Sequence, residues 1–258
     1  MTESVLYELK GRVAVVTMNR PEVLNAFDRA LTQGLREAII RAAGDRQARA
    51  VVLRGAGGAF SAGADLKQGF PQDRRVEDLI NADFRPTLDT IAGMGKPVIA
   101  SVAGPAAGIG LSFALVCDLV IMAEDGYLLS PFATIGLIPD GGATWLLARQ
   151  IGYHRAYQLC VESERVPAVR CLELGLANRV VPAERLEEET LAWAESLAER
   201  APLALARSKL AMRAAMHLSL TQAIACEAQL QTGCLESADA KEGIAAFLAR
   251  RKPEFRGN

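Results

Sequence analysis

KPVIASVAGPAAGIGLSFALVCDLVIMA, residues 96–123, is the stretch on which the reading of this chain turns. Between Lys96 and Asp118 it carries no charge and is long enough to cross a bilayer as one helix. Pro105, with Gly104, Gly108 and Gly110, breaks that helix in the middle. The stretch therefore reads as a strand (97–103), a glycine-rich turn and a short buried helix, followed by a second strand, DLVIMA (118–123). Apolar runs without alternation predict strands covered on both faces. No membrane segment is expected.

Working outward, VAVVTMN (13–19) and AVVLRGA (50–56) read as further strands, the latter halted by Gly55, Gly57 and Gly58. Helical periodicity runs from Asn25 to about Ala43. A polar stretch at Lys67–Val76, expected to be mobile, precedes a helix to about Ala92. Strands alternating with helices argue for an α/β fold. After Val181 the pattern changes to successive helices at 184–199, 202–217, 219–235 and 238–250, punctuated by Pro182 and Pro202. The chain divides into a core (1–200) and a helical C-terminal region (201–258). Such a tail closes over its own core or packs on other subunits, and periodicity does not choose between them.

Half of the 258 residues are hydrophobic and only 5% are aromatic, so an aliphatic core is expected. The formal net charge of −1, with both signs interspersed, gives no field for nucleic acid. Five cysteines without CxxC spacing argue against disulfides and zinc and for a reducing compartment, the cytoplasm. MTESVLYELKGRVAVV lacks the basic-then-apolar layout of a signal peptide. The two histidines, His154 and His217, lie in helical contexts and read as surface residues.

Three glycine-rich places follow strands. In GAGGAFSAGADL (55–66) small residues around Ala62–Gly63–Ala64 allow a ligand close to the backbone. In GPAAGIGLSFAL (104–115), Gly108 and Gly110 open a helix whose first N–H groups lack intrahelical partners. Two such N–H groups converging on one point form an oxyanion hole, which stabilises a thioester enolate more than its ground state. In ATIGLIPDGGATWLL (133–147), Asp140 reads equally as a helix N-cap or as a catalyst. Asp118 reads as a structural acid, and Glu124 and Asp125 as solvated turn residues.

At these segments the chain resembles the crotonase (enoyl-CoA hydratase/isomerase) superfamily. The resemblance runs through NRPEVLNAF (19–27), GAFSAGADL (58–66), KPVIASVAGPAAGIG (96–110), CDLVIMAED (117–125), IGLIPDGGATWLL (135–147), AVRCLELGLANRVV (168–181) and EGIAAFLARRKPEF (242–255). It implies a ClpP/crotonase-like spiral of ββα units with a C-terminal helical trimerisation region, a homotrimer or dimer of trimers, and an acyl-CoA thioester as ligand. No separate cofactor or metal is implied, coenzyme A being part of the substrate. The resemblance makes the N–H groups of Ala64 and Ile109 the oxyanion donors. It assigns Val23, Leu24 and Ala26 to the coenzyme A arm, Ala62, Ala64, Asp65 and Leu66 to the adenine, and Lys252 to the phosphates, reaching from a neighbouring subunit.

The departures narrow the chemistry. Hydratases of the family use two glutamates, and here those positions hold Ser112 and Phe132. Hydration needs one group to activate water and another to deliver a proton, which a serine and a phenylalanine do not supply. Asp140 falls where several family isomerases keep an aspartate, and LIPDGGATWLL is similar to the phenylacetate-pathway isomerases of ring-epoxide thioesters. A 1,3 proton shift needs one carboxylate. An aspartate-nucleophile dehalogenase branch ranks low, because its histidine position is Asp89 here. An isomerase with Asp140 as base is the leading expectation, ahead of other lyase or hydrolase chemistry and of a non-catalytic acyl-CoA-binding paralogue. Phe70, Phe84, Phe132 and Trp145 are candidate walls of an aromatic-sized pocket.

Overall fold

The computed structural model describes residues 3–68 and 75–258. Phe70 and most of the stretch expected to be mobile fall outside the described residues. In chain order the elements are β1 Val5–Lys10, β2 Val13–Met18, α1 Arg29–Gly44, β3 Ala50–Gly55, α2 Val76–Leu79, a π-turn Ile80–Phe84, α3 Arg85–Gly93, β4 Val98–Val102, β5 Pro105–Ala107, α4 Ile109–Val116, β6 Leu119–Ala123, β7 Tyr127–Leu129, a 3₁₀ turn Phe132–Ile135, α5 Ala143–Ile151, α6 Tyr153–Glu162, β8 Val166–Pro167, α7 Ala168–Leu174, β9 Arg179–Val181, α8 Leu186–Ala198, α9 Pro202–Ala215, α10 Leu220–Leu235 and α11 Ala238–Leu248.

Six strands form one sheet in the order β1-β2-β3-β4-β6-β9, and β5, β7 and β8 form a small second sheet. β1 is antiparallel to β2, and the other neighbours in the large sheet are parallel. Each turn of chain gives one strand to the large sheet and the next to the small one: β4 then β5, β6 then β7. An isolated bridge from Ser61 to Ala106 adds the turn after β3 to the same series. The result is a spiral of ββα units.

The apolar runs are buried on both faces, as the absence of alternation implies. All of Val13–Met18 is buried, and the residues still sort with period two. Val13 and Val15 face the cluster with Val52, Ile99, Ile121 and helix α8. Ala14, Val16 and Met18 face the larger cluster with α1, α3 and α4. A hydroxyl pair, Ser101 Oγ to Thr190 Oγ1 at 2.9 Å, ties α8 to β4. Every residue of α4 is buried, so this uncharged helix is the centre of the core rather than a span. No helix among the described residues is long and apolar enough to cross a membrane.

One helix begins later than periodicity suggests. Residues 25–28 are a knot, and α1 starts at Arg29 behind Asp28, whose Oδ1 accepts from Leu31 N at 2.7 Å. Leu24 and Asn25 both hold positive φ, 52° and 55°. The buried Asn25 side chain enforces that turn, because Nδ2 donates to Ala56 O and Ala59 O while Oδ1 accepts from Arg20 N.

The C-terminal helices match the sequence reading to within about two residues, but their attachment differs from that of the core. α9 and α10 contain no fully buried residue. α9 is fastened instead by Lys209 and Arg213, which pair with Asp118 at 2.7 and 3.1 Å. Asp118 Oδ2 also accepts from Val98 N, so it is the structural acid expected. Asp239 in α11 gathers the chain end by accepting from Arg256 N and Gly257 N.

Candidate active site

Two loops are zipped in parallel register. Ser61 N donates to Pro105 O and Ala107 N to Ser61 O, at 2.8 and 2.9 Å. Counting forward from the Ser61–Ala106 bridge brings Gly63 beside Gly108 and Ala64 beside Ile109. The contact is close: a β-carbon on Gly63 would lie 3.0 Å from Ala107 O and 3.4 Å from Gly108 Cα. Gly63 and Gly108 both have positive φ, so glycine is required here on two counts.

The amides along this zip are nearly all engaged. Ala62 N donates to Leu24 O, Gly63 N to Ser61 Oγ, Asp65 N to Phe27 O and Gly108 N to Leu129 O. Neither Ala64 N nor Ile109 N has an acceptor among the described residues. Ile109 is the first residue of α4, where an N–H has no intrahelical partner and the helix dipole favours negative charge. The two residues nominated from sequence as donors thus fall level in the register, and neither N–H is engaged among the described residues.

Asp140 lies against the same helix. Its carbonyl accepts from Ser112 Oγ at 2.9 Å and from Ala143 N at 3.0 Å. Gly141 presses onto α4: a β-carbon there would collide with Ile109 Cδ1 and lie 3.0 Å from Ser112 Cβ. The Ile109 side chain is therefore turned under the Asp140–Gly141 peptide. The Asp140 carboxylate does not cap α5, whose N-cap is Gly142. Its Oδ1 is buried without a partner among the described residues. Burial pushes the carboxyl up to about 6, offset only by a bond to its own backbone amide. A desolvated carboxylate with no opposing charge among the described residues is suited to taking up and releasing a proton near neutrality.

Of the aromatic candidates, Phe132 lies beside Gly108, its Cζ 3.9 Å from where a β-carbon there would stand. Phe84 is core instead, edge-on to Phe27 and Phe113 at 5.8 and 6.4 Å. Trp145 stacks on His217 at 5.8 Å, with Arg149 over its ring.

The remaining sequence candidates divide. Val23, Leu24 and Ala26 run beside Ala62–Leu66, joined by Ala62 N to Leu24 O and by the Phe27–Ala64 bridge, with Leu24 and Leu66 exposed. The Asp65 carboxylate is turned inward onto Arg20 at 3.2 Å. Lys252 is not brought to these segments within the chain and pairs with Glu199 at 2.9 Å. A crevice of about 480 Å³ among α9, α10 and α11 is lined by Arg207, Glu227 and Asp239 and lies outside this arrangement.

Two residues that shape the site, Asn25 and Ser61, escaped the sequence reading, and Ser112 was read there only as a departure from a hydratase glutamate. Ser61 Oγ donates to Asn25 O while accepting from Gly63 N. Each is a small polar residue inside an otherwise apolar stretch, which was the available signal.

Residues 8–258 match the family model described as enoyl-CoA hydratase/isomerase. A probable enoyl-CoA hydratase from Rhodobacter capsulatus is 39% identical, over 98% of each chain. The 1,2-epoxyphenylacetyl-CoA isomerase of Escherichia coli K12 is 35% identical, over 100% of each. The crystal structure of an enoyl-CoA hydratase from Bacillus anthracis superposes with a TM-score of 0.94 at 31% identity, covering 99% of this chain and 100% of that one. With the ββα spiral in place, the chain belongs to the enoyl-CoA hydratase/isomerase family and has the crotonase fold.

Proposed function

We propose that the chain is an isomerase of acyl-CoA thioesters that forms an enolate, shifting a double bond or rearranging a ring. The observation that carries the reading is Asp140, held against the helix that begins at Ile109 and with a buried Oδ1 that has no partner among the described residues, together with Ser112 and Phe132 at the two positions where hydratases of the family keep glutamates. The thioester oxygen accepts from both N–H groups. Asp140 removes a proton from C2 of a 3-enoyl thioester, the negative charge spreads over the oxygen and C4, and the same carboxyl returns the proton to C4. The C3=C4 bond becomes C2=C3. The donors bind the oxygen more tightly as its charge grows, which is where the acceleration arises. Phe132 keeps water from the enolate, and the reaction needs no metal or redox group, because one carboxylate carries the proton both ways.

Coenzyme A lies along Val23, Leu24 and Ala26 and the turn Ala62–Leu66, with Lys252 of a neighbouring copy at its phosphates. The exposed apolar side chains of the C-terminal helices, Leu220, Phe247 and Leu248 among them, suit a homotrimer or dimer of trimers. Hydration is the second reading, favoured by the hydratase name of the Rhodobacter relative. An ultraviolet assay with 3-enoyl-CoA, wild type beside Asp140→Asn, separates the two. Conjugated 2-enoyl-CoA forming with wild type alone supports isomerisation. Loss of conjugation from 2-enoyl-CoA, with no conversion of 3-enoyl-CoA, would replace it with hydration.

A further inference from the structure

We infer that Ser112 is a positioning residue whose hydroxyl fixes the Asp140 carboxylate relative to the oxyanion helix. The inference rests on the reading of Asp140 as the base. Ser112 is fully buried on α4, three residues beyond Ile109 and hence on the same helix face. A buried serine in a helix ordinarily satisfies itself on the carbonyl four residues back. Here the hydroxyl leaves its own helix and donates to Asp140 O at 2.9 Å. That carbonyl already accepts from Ala143 N at 3.0 Å, so the second bond is not needed to satisfy it. What the bond adds is location.

Gly141 completes the clamp, because only a residue without a side chain lets the Asp140–Gly141 peptide lie on Ile109 and Ser112. Base and oxyanion donor are thereby held by one rigid helix, and a base that must serve two carbons tolerates little drift. A misplacement of about 1 Å can cost on the order of a hundredfold in rate. The position at which hydratases of the family carry a catalytic glutamate here holds the residue that sets the geometry for a different one.

The test uses full-length protein labelled with ¹³C at aspartate carboxyls, the Asp140 resonance being identified by its loss in Asp140→Asn. In Ser112→Ala the Asp140 titration should fall from its raised position toward the ordinary carboxylate range as water reaches a loosened loop. kcat on 3-hexenoyl-CoA should drop roughly 10- to 100-fold with KM within about twofold. Ser112→Cys, which keeps the volume and weakens the donor, should fall between. An unchanged Asp140 titration with turnover within about twofold of wild type would overturn the inference. If the titration moves but wild type does not convert 3-hexenoyl-CoA, the positioning role stands and the isomerase reading falls.

Discussion

Helix α4 and the C-terminal helices are held by opposite means. α4 is buried over its whole length, carries no charge and is fixed by close packing on every side. α9 and α10 bury no residue completely, and α9 is attached through Lys209 and Arg213 reaching Asp118 at the foot of β6. Lys209 and Arg213 also donate to the carbonyls of Ile91 and Val116. The packed helix carries Ile109, so small errors there would displace the proposed oxyanion donor. The pegged helices set direction but leave much apolar surface uncovered: Leu220 is 79% exposed and Met212 71%. Precision is concentrated where the chain is dry, and surface for a partner where it is not.

Changes on the two sides should therefore separate. The largest effect belongs to Asp140→Asn, expected to lower kcat on 3-enoyl-CoA about 10²- to 10⁴-fold while coenzyme A affinity is kept. Wild-type rate should rise with pH through about 6, because below that the base is protonated. Burial holds this carboxyl above its unfolded value, so its contribution to stability is complete below about pH 4 and is lost as pH rises through about 6. Asp140→Asn should accordingly melt higher than wild type at pH 8, by on the order of 1–3 kcal/mol, with the gap closing near pH 4. A mutant less stable than wild type at pH 8 would mean the carboxylate has a partner.

Asp118→Asn comes next. It leaves two part-buried cations short of their counter-charge and should cost about 3 kcal/mol in chemical denaturation, with far less change in kcat than Asp140→Asn. Equal losses in both quantities would erase the contrast between pegged and packed regions. Gly141→Ala sharpens it from the other side: a left-handed backbone at φ 58° and a clash with Ile109 should cost about 2 kcal/mol, together with a clear fall in turnover. Smallest for the single chain is the pair Phe247→Ser and Leu248→Ser, expected to change its stability by about 0.5 kcal/mol or less. Sedimentation should nevertheless show a lighter particle if these side chains join subunits.

Much of the fold was legible because α4 and the strands around it are read directly from hydrophobicity broken by glycine. The helices at 186–198, 202–215, 220–235 and 238–248 were equally plain. Residues 25–28 were not, since a helical spacing of apolar residues continues through a knot that Asn25 imposes from its side chain. The short strands β5, β7 and β8 were also missed, as two or three residues are too few to show a period. In the site, the glycines and Asp140 stood out by type, whereas Ser112 acts through a bond to a residue 28 positions away, which no local pattern encodes.

The zip between Ser61 and Ala106 makes this site sensitive to spacing rather than spelling. Each loop reaches its donor through a glycine of positive φ, so one residue inserted between Ser61 and Ala64, or between Ala106 and Ile109, would throw the Gly63–Gly108 contact out of register. Changing the side chain at 64 or 109 leaves the N–H where it is. Positions 64 and 109 therefore tolerate a change of letter better than a change in the count of residues, whereas Gly63 and Gly108 tolerate neither.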